Sequence, residues 1–270
     1  MPIEIFEDFI QFIQHPGQGF FSCCTVHLQG ILSHFNLYKK TPRYIDSTNQ
    51  YLWYKTTDQK DQDIKSVYFQ EFPENIIEYK KDVKFVSHSI EDQYSDYRTL
   101  QYEDLKPFIS KYFTPSIEIR NIIHKIEHKY NLNYQETCAL FFRGNDKQLE
   151  IALPDYQLYL NHARTLYQEN PNIRFLVQSD ETEFLKLISN EFPHNHIIFW
   201  DEIRHIPRNG RTTVDRLNPN TNSVMSKNFL AIIWIISKCK YVICNTGNCS
   251  MWIALYRGNS NGITQFCYMI

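Results

Sequence analysis

The chain has 270 residues, enough for one large domain or two small ones around a sizeable core. Its 28 Lys and Arg against 30 Asp and Glu leave a net charge of −2. That excludes the broad positive footprint of a nucleic-acid binder or of a protein held on an anionic membrane, so any anion must be held by a local site. The seven cysteines, with Cys23 and Cys24 adjacent and no CxxC pair, exclude a zinc-finger frame and suit reduced thiols in a cytoplasmic protein.

The opening MPIEIFEDFIQFIQ carries acids where a secretion signal needs bases, and its apolar spacing predicts an amphipathic helix. The most apolar window, Phe229 to Ile236, is far short of the ~20 residues that span a bilayer, so no transmembrane segment is expected. His15-Pro16-Gly17-Gln18-Gly19 is a turn opening a second helix. Backbone N–H groups at Gly17 and Gly19 can cradle a phosphate there, or the segment is a plain turn. Thr41 to Ser47 reads as a short strand ending at Asp46, followed by an aromatic cluster from Tyr51 to Tyr54. Residues 55–66 are polar, and their Asp61-Gln62-Asp63 imitates a metal-binding DxD in what reads as a solvated loop. Residues 70–115 give no regular pattern. From Ser116 to Tyr130, Ile119, Ile122, Ile123 and Ile126 form one helical face, and Asn131 to Asn133 break it. The break divides the chain into an N-terminal domain, 1–132, and a C-terminal domain, 133–270.

The second half alternates strands with helices. Cys138 to Phe142 is a continuous apolar run, as in a buried parallel strand, and it leads into a loop holding Arg143, Asp146, Lys147 and Glu150. An arginine at the mouth of such a strand suits an anion, or it simply pairs with Asp146. Pro154 fits the first turn of the next helix. Ile173 to Gln178 is a strand, with Ser179 and Asp180 capping a helix from Thr182. His196 to Trp200 is another strand, and a polar loop over 203–226 holds Arg204, His205, Arg208 and Arg211. Lys227 to Lys238 is a helix apolar all round, hence buried between layers. Tyr241 to Cys244 is a strand, Asn245-Thr246-Gly247-Asn248 a turn into a helix with Gly258 past its end, and Ile263 to Met269 a last strand. This order predicts an α/β fold with a doubly wound parallel sheet, whose loops at 143–150, 179–181, 201–211 and 245–249 share one edge.

Three stretches, FFRGNDKQLE (141–150), RFLVQSDETEFL (174–185) and KCKYVICNTGNCSMWIALYRG (238–258), together resemble the fucosyltransferase superfamily of GT-B glycosyltransferases. That superfamily includes core α1,6-, nodulation and protein O-fucosyltransferases. The resemblance covers about half the chain. It implies two Rossmann-like halves, with a reduced N-terminal half on the acceptor side and the nucleotide sugar on the C-terminal half. In the family's His-x-Arg-Arg-x-Asp-Lys motif the first arginine grips the donor's diphosphate, and Arg143 takes that place. Asp146 and Lys147 match, while Glu150 lies one residue closer than the family's catalytic glutamate and Gly144 replaces the second arginine. Asp180 and Glu181 match acidic residues near the donor's ribose or sugar. Gly247 and Asn248 stand where a Ser-Ser pair contacts the phosphates. Phe141 and Ile232 replace the histidine and aspartate with which guanine-binding members read their base, which puts GDP-fucose in doubt.

The activity implied is an inverting, metal-independent transfer from a nucleoside-diphosphate sugar, as co-substrate, to a glycan or glycoprotein acceptor. Arg143 neutralises the leaving group, Glu150 is the base, and Asp146 or Asp46 stands in if the shorter spacing turns Glu150 away. No cofactor or metal is required. The alternatives are a UDP-sugar donor such as UDP-xylose, or a catalytically inactive carbohydrate-binding module.

Overall fold

The computed structural model describes residues 3–13, 18–71, 77, 81–85, 94–210 and 212–266. The chain begins with a hairpin, β1 (Ile3–Ile5) and β2 (Phe9–Phe12), in place of the expected helix. A dozen residues of mixed apolar spacing fit both periods. The strand wins because Ile10 and Phe12, two apart, are both buried against the next element. That element is α1 (Phe20–Tyr38), closed by Lys39 in the left-handed region. Strand β3 (Tyr44–Asp46) then pairs parallel with β2. The polar segment 55–66 is more ordered than a solvated loop: it contains a 3₁₀ turn at Thr57–Gln59 and leads into α2 (Lys65–Tyr68). Asp63 accepts hydrogen bonds from the amide and hydroxyl of Ser47 and the amide of Lys65, so half of the DxD look-alike is a structural tie. Two short strands, β4 (Phe69–Gln70) and β5 (Thr114–Pro115), flank α3 (Tyr102–Tyr112). Helix α4 (Ile117–Tyr130) follows, capped by Ser116 and stopped by Asn131, whose φ of 45° an asparagine tolerates well.

From there strands and helices alternate: β6 (Thr137–Phe142), α5 (Tyr156–Glu169), β7 (Arg174–Ser179), α6 (Thr182–Glu191), β8 (His196–Ile197), α7 (Val214–Leu217), α8 (Asn222–Lys238), β9 (Tyr241–Asn245), α9 (Asn248–Arg257) and β10 (Ile263–Phe266). Helix α5 starts after Pro154, with Asp155 as its cap; the cap residue of α6 is Glu181, and neither Ser179 nor Asp180 caps it. Strand β8 is two residues long where five were expected, an edge strand that leaves the sheet at Ile198.

The five strands from β6 onward form one parallel sheet in the order β10-β9-β6-β7-β8, a Rossmann-like arrangement. Alternation assigns the two faces. Cys138, Leu140 and Phe142 pack with α5 and α6, whereas Ala139 and Phe141 pack with α8 and α9. Helix α8, apolar all round, is sandwiched as its sequence requires: α4 packs on it, and α1 and α3 pack on α9. The apolar cluster therefore runs across the expected boundary at 131–133. Trp252 of α9, fully buried, donates to Thr25 of α1 at 3.0 Å, and Tyr256 donates to the carbonyl of Phe113 at 3.1 Å. Among the described residues no helix is long and apolar enough to cross a membrane.

Candidate functional site

Strand order reverses between β6 and β9, and the carboxyl ends of two diverging strands leave a crevice where open parallel sheets bind ligands. Arg143 follows one of these strands and Gly247 the other. Asn245, wholly buried, fastens them together: its Oδ1 accepts from the Arg143 amide at 2.9 Å and its Nδ2 donates to the Arg143 carbonyl at 2.8 Å. The side-chain amide thus extends the ladder past the last backbone pair.

Beyond that splice, the guanidinium of Arg143 pairs with Asp180, and its Nη2 lies 2.9 Å from Asp146 Oδ1 without hydrogen-bond alignment. Burial opposes its charge, but Asp180 and then Asp146 outweigh burial and raise its pKa above the ordinary arginine value. Breaking such a buried pair from one side costs about 3–5 kcal/mol, so Asp180 fixes the guanidinium's direction as well as its charge. Asp180 also accepts from the Gly144 amide at 2.8 Å.

Glu181 was expected beside the ligand, but it is fully buried and is not among the residues lining the cleft. One of its oxygens accepts from the Asn145 amide at 2.6 Å, and the other accepts from the hydroxyl of Tyr156. Its function is to hold the loop after β6, and this explains Gly144. A Cβ at that position would stand 2.2 Å from Glu181 Oε1, so the carboxylate occupies the space that a second arginine would need.

Lys147 donates from Nζ to Glu150 Oε2 at 2.6 Å and to the Tyr94 hydroxyl at 3.3 Å. Tyr94 also hydrogen-bonds the same carboxylate oxygen, so Glu150 Oε1 takes part in neither contact. Burial works against the Glu150 charge, but Lys147 and the tyrosine hydroxyl prevail and hold it below the usual glutamate range. At neutral pH it is a carboxylate, able to take a proton. The stem of Lys147 runs past Gly247, where a Cβ would lie 3.4 Å from Cε. Gly247 has φ of 143°, a conformation that any side chain would strain.

Gly247, the expected phosphate contact, lines the cleft and is tied to Tyr97. Its N–H donates to the Tyr97 hydroxyl at 3.0 Å, and that hydroxyl donates back to the Gly247 carbonyl at 3.0 Å. No side chain caps helix α9, and its first residues, Asn248, Cys249 and Ser250, line the crevice, which places the positive end of the helix dipole there.

The crevice opens into a cleft of about 660 Å³ lined by Gly19, Arg143, Asp146, Lys147, Glu150, Asp180, Gly247 and Asn248, together with Phe141 and Ile232. Gly17 and Arg211 lie outside the described residues. Asp46 is not part of the cleft lining; its two oxygens accept from the Thr48 amide and the Gln11 side chain. The facing wall was not anticipated. Arg216 lies over the ring of Trp53 at 5.5 Å, and Arg204 ion-pairs with Asp215, which also accepts from Tyr54 at 3.2 Å. Arg204 had been read only as one charge in a polar loop. Its partners are 11 and 18 residues away, Asp215 and Asn222, and no local pattern joins them. Among the described residues, no group of three or more His, Cys, Asp or Glu is placed to hold a metal ion.

No family model and no curated protein matches the chain. Solved structures do. The chain is similar to fucosyltransferase structures. A NodZ α-1,6-fucosyltransferase soaked with GDP-fucose matches at a TM-score of 0.40 and 14% identity, over 58% of this chain and 47% of that one. The same enzyme co-crystallised with GDP matches at 0.39 and 14%, over 57% and 46%. An Arabidopsis thaliana FUT1 mutant in complex with GDP matches at 0.36 and 10%, over 61% and 34%. The chain spans about half the length of the NodZ structures or less.

Proposed function

We propose that the protein is an inverting glycosyltransferase that moves one sugar from a nucleoside diphosphate to a glycan or glycoprotein acceptor, on two GT-B-like halves that meet near residue 132 and share the apolar cluster around α8 and α9. The observation that carries this reading is the meeting, in one cleft, of an oriented guanidinium, an uncapped helix start and an ionised carboxylate. As the bond from the anomeric carbon to the diphosphate breaks, negative charge grows on the phosphate oxygens. Arg143 neutralises it through a two-pronged contact, with Lys147 and the dipole of α9 behind it. The acceptor hydroxyl attacks from the opposite face and passes its proton to Glu150, which yields the inverted anomer. Lys147 touches Glu150 before the donor arrives, so donor phosphate and carboxylate compete for it.

A UDP-sugar such as UDP-xylose is a second donor reading. It is favoured by one observation: Phe141 and Ile232, both apolar, line the cleft where guanine would need polar partners. The test is incubation of the full chain with GDP-fucose and with UDP-sugars, following diphosphate release by phosphorus NMR and the product anomer by proton NMR. Release of a nucleoside diphosphate with inversion supports the proposal. No turnover with any nucleotide sugar, in the presence of glycan acceptors, rejects it in favour of a carbohydrate-binding module.

A further inference from the structure

Across the sheet, Cys244, Phe141 and Gln178 are register neighbours on β9, β6 and β7, and so point to the same face. That face meets α8, and at its carboxyl end it becomes the floor of the cleft. Phe141 and Gln178 line the floor, and Met225, Phe229 and Ile232 of α8 line the side. The result is an apolar slot with one carboxamide in it. Gln178 is 6% exposed, and its Oε1 is shielded from solvent with no hydrogen-bond partner. A buried acceptor left in this state is costly, and it is a reason to look for the donor that completes it.

The position suits a base. Gln178 is one strand over from Phe141 and two residues back from Arg143, so its Cα lies about 8 Å from that of Arg143 by strand spacing. A nucleoside diphosphate anchored at Arg143 can therefore bring its base to Gln178, at the cleft edge beside Phe141 and α8. Resting on the nucleotide-sugar reading of this cleft, we propose that Gln178 reads the donor's nucleobase and discriminates against guanine, so that a uridine-type donor is preferred to a guanosine one. A carboxamide offers one acceptor beside one donor. Uracil presents a complement, its N3–H to Oε1 and its O4 to Nε2, and the edges of cytosine and adenine fit the same group with their amino N–H to Oε1. Guanine presents two adjacent donors, N1–H and N2–H, which call for a carboxylate. Against Gln178 one of them would face the apolar walls formed by Phe141 and Ile232.

The test is a calorimetric panel of UDP, CDP, ADP and GDP on the full-length wild type and on Gln178→Leu, Gln178→Glu and Arg143→Ala. UDP is expected to bind more tightly than GDP to the wild type, and at least tenfold more weakly to Gln178→Leu than to the wild type. Gln178→Glu is expected to reverse the preference, with GDP binding more tightly than UDP. Thermal melts of the variants establish that each is folded. UDP binding that depends on Arg143 but is unmoved by both Gln178 substitutions overturns the assignment of Gln178 alone. Tighter binding of GDP than of UDP, CDP and ADP to the wild type overturns the discrimination against guanine. Failure of every nucleoside diphosphate to bind the wild type rejects the nucleotide-sugar reading itself.

Discussion

The side chain of Asn245 holds the backbone of Arg143 by both its amide and its carbonyl, at 2.9 and 2.8 Å, across the point where the sheet reverses its strand order. This pairing turns a crevice between two strand ends into a fixed support for a guanidinium. Asn245→Ala leaves both backbone groups of Arg143 unpaired at a fully buried position. A loss of about 1–3 kcal/mol in unfolding free energy is expected by chemical denaturation. Asn245→Asp keeps the acceptor and loses the donor, and is expected to fall between the two.

Gly144 is expected to tolerate no side chain. The reason is one of space. A methyl group there would stand 2.2 Å from Glu181 Oε1 and 2.7 Å from the ring of Phe142. Gly144→Ala is expected to destabilise the fold by about 1–3 kcal/mol, the usual range for overpacking. Pairing it with Glu181→Ala should recover part of that loss, a non-additivity readable from a double-mutant cycle of melting curves.

The parallel sheet was legible because Cys138 to Phe142 is a continuous apolar run and because Asn245 to Asn248 marks a strand-to-helix turn. The candidate loops followed from the same reading, since all strands of such a sheet point one way. Three things could not be read. The hairpin at Ile3–Phe12 was hidden because a short segment of mixed spacing fits both a helix and a strand. The burial of Glu181 depends on Asn145 and Tyr156, contacts of 36 and 25 residues' separation that leave no mark on local pattern. The wall built from Trp53, Arg204, Asp215 and Arg216 is likewise a product of distant segments meeting.

Glu150→Gln retains the size of the side chain and its contacts with Lys147 and Tyr94 but removes the proposed proton acceptor. Turnover is expected to fall by about 10²–10⁴ with donor affinity nearly unchanged. Because Lys147 and Tyr94 hold Glu150 below the ordinary glutamate range, the wild type should keep its base ionised until the pH falls below that range. Lys147→Met removes the larger favourable influence, so the acid limb of the pH profile of kcat/KM is expected to move to higher pH. An acid limb that stays in place would show that another group sets it.

His27 is fully buried, with both ring nitrogens unpaired and its ring 5.2 Å from Phe12 and 5.7 Å from Phe113. Burial, and secondarily Lys65, pushes its pKa well below the ordinary 6.5. The folded state therefore stays neutral where the unfolded chain takes up a proton. Stability from this group is complete above about pH 6.5 and is lost as the pH falls below that value. His27→Phe is expected to lose less stability than the wild type between pH 7 and pH 5, as read from denaturation midpoints at each pH.

Arg143 is the proposed grip on a diphosphate, and calorimetric titration of UDP and GDP into the wild type and Arg143→Ala tests that role. The substitution is expected to weaken the tighter of the two nucleotides by about 2–4 kcal/mol, with lysine at the same position restoring only part, because a lysine cannot make the two-pronged contact. A folded Arg143→Ala variant that binds the nucleotide as the wild type does would remove Arg143 from the diphosphate site.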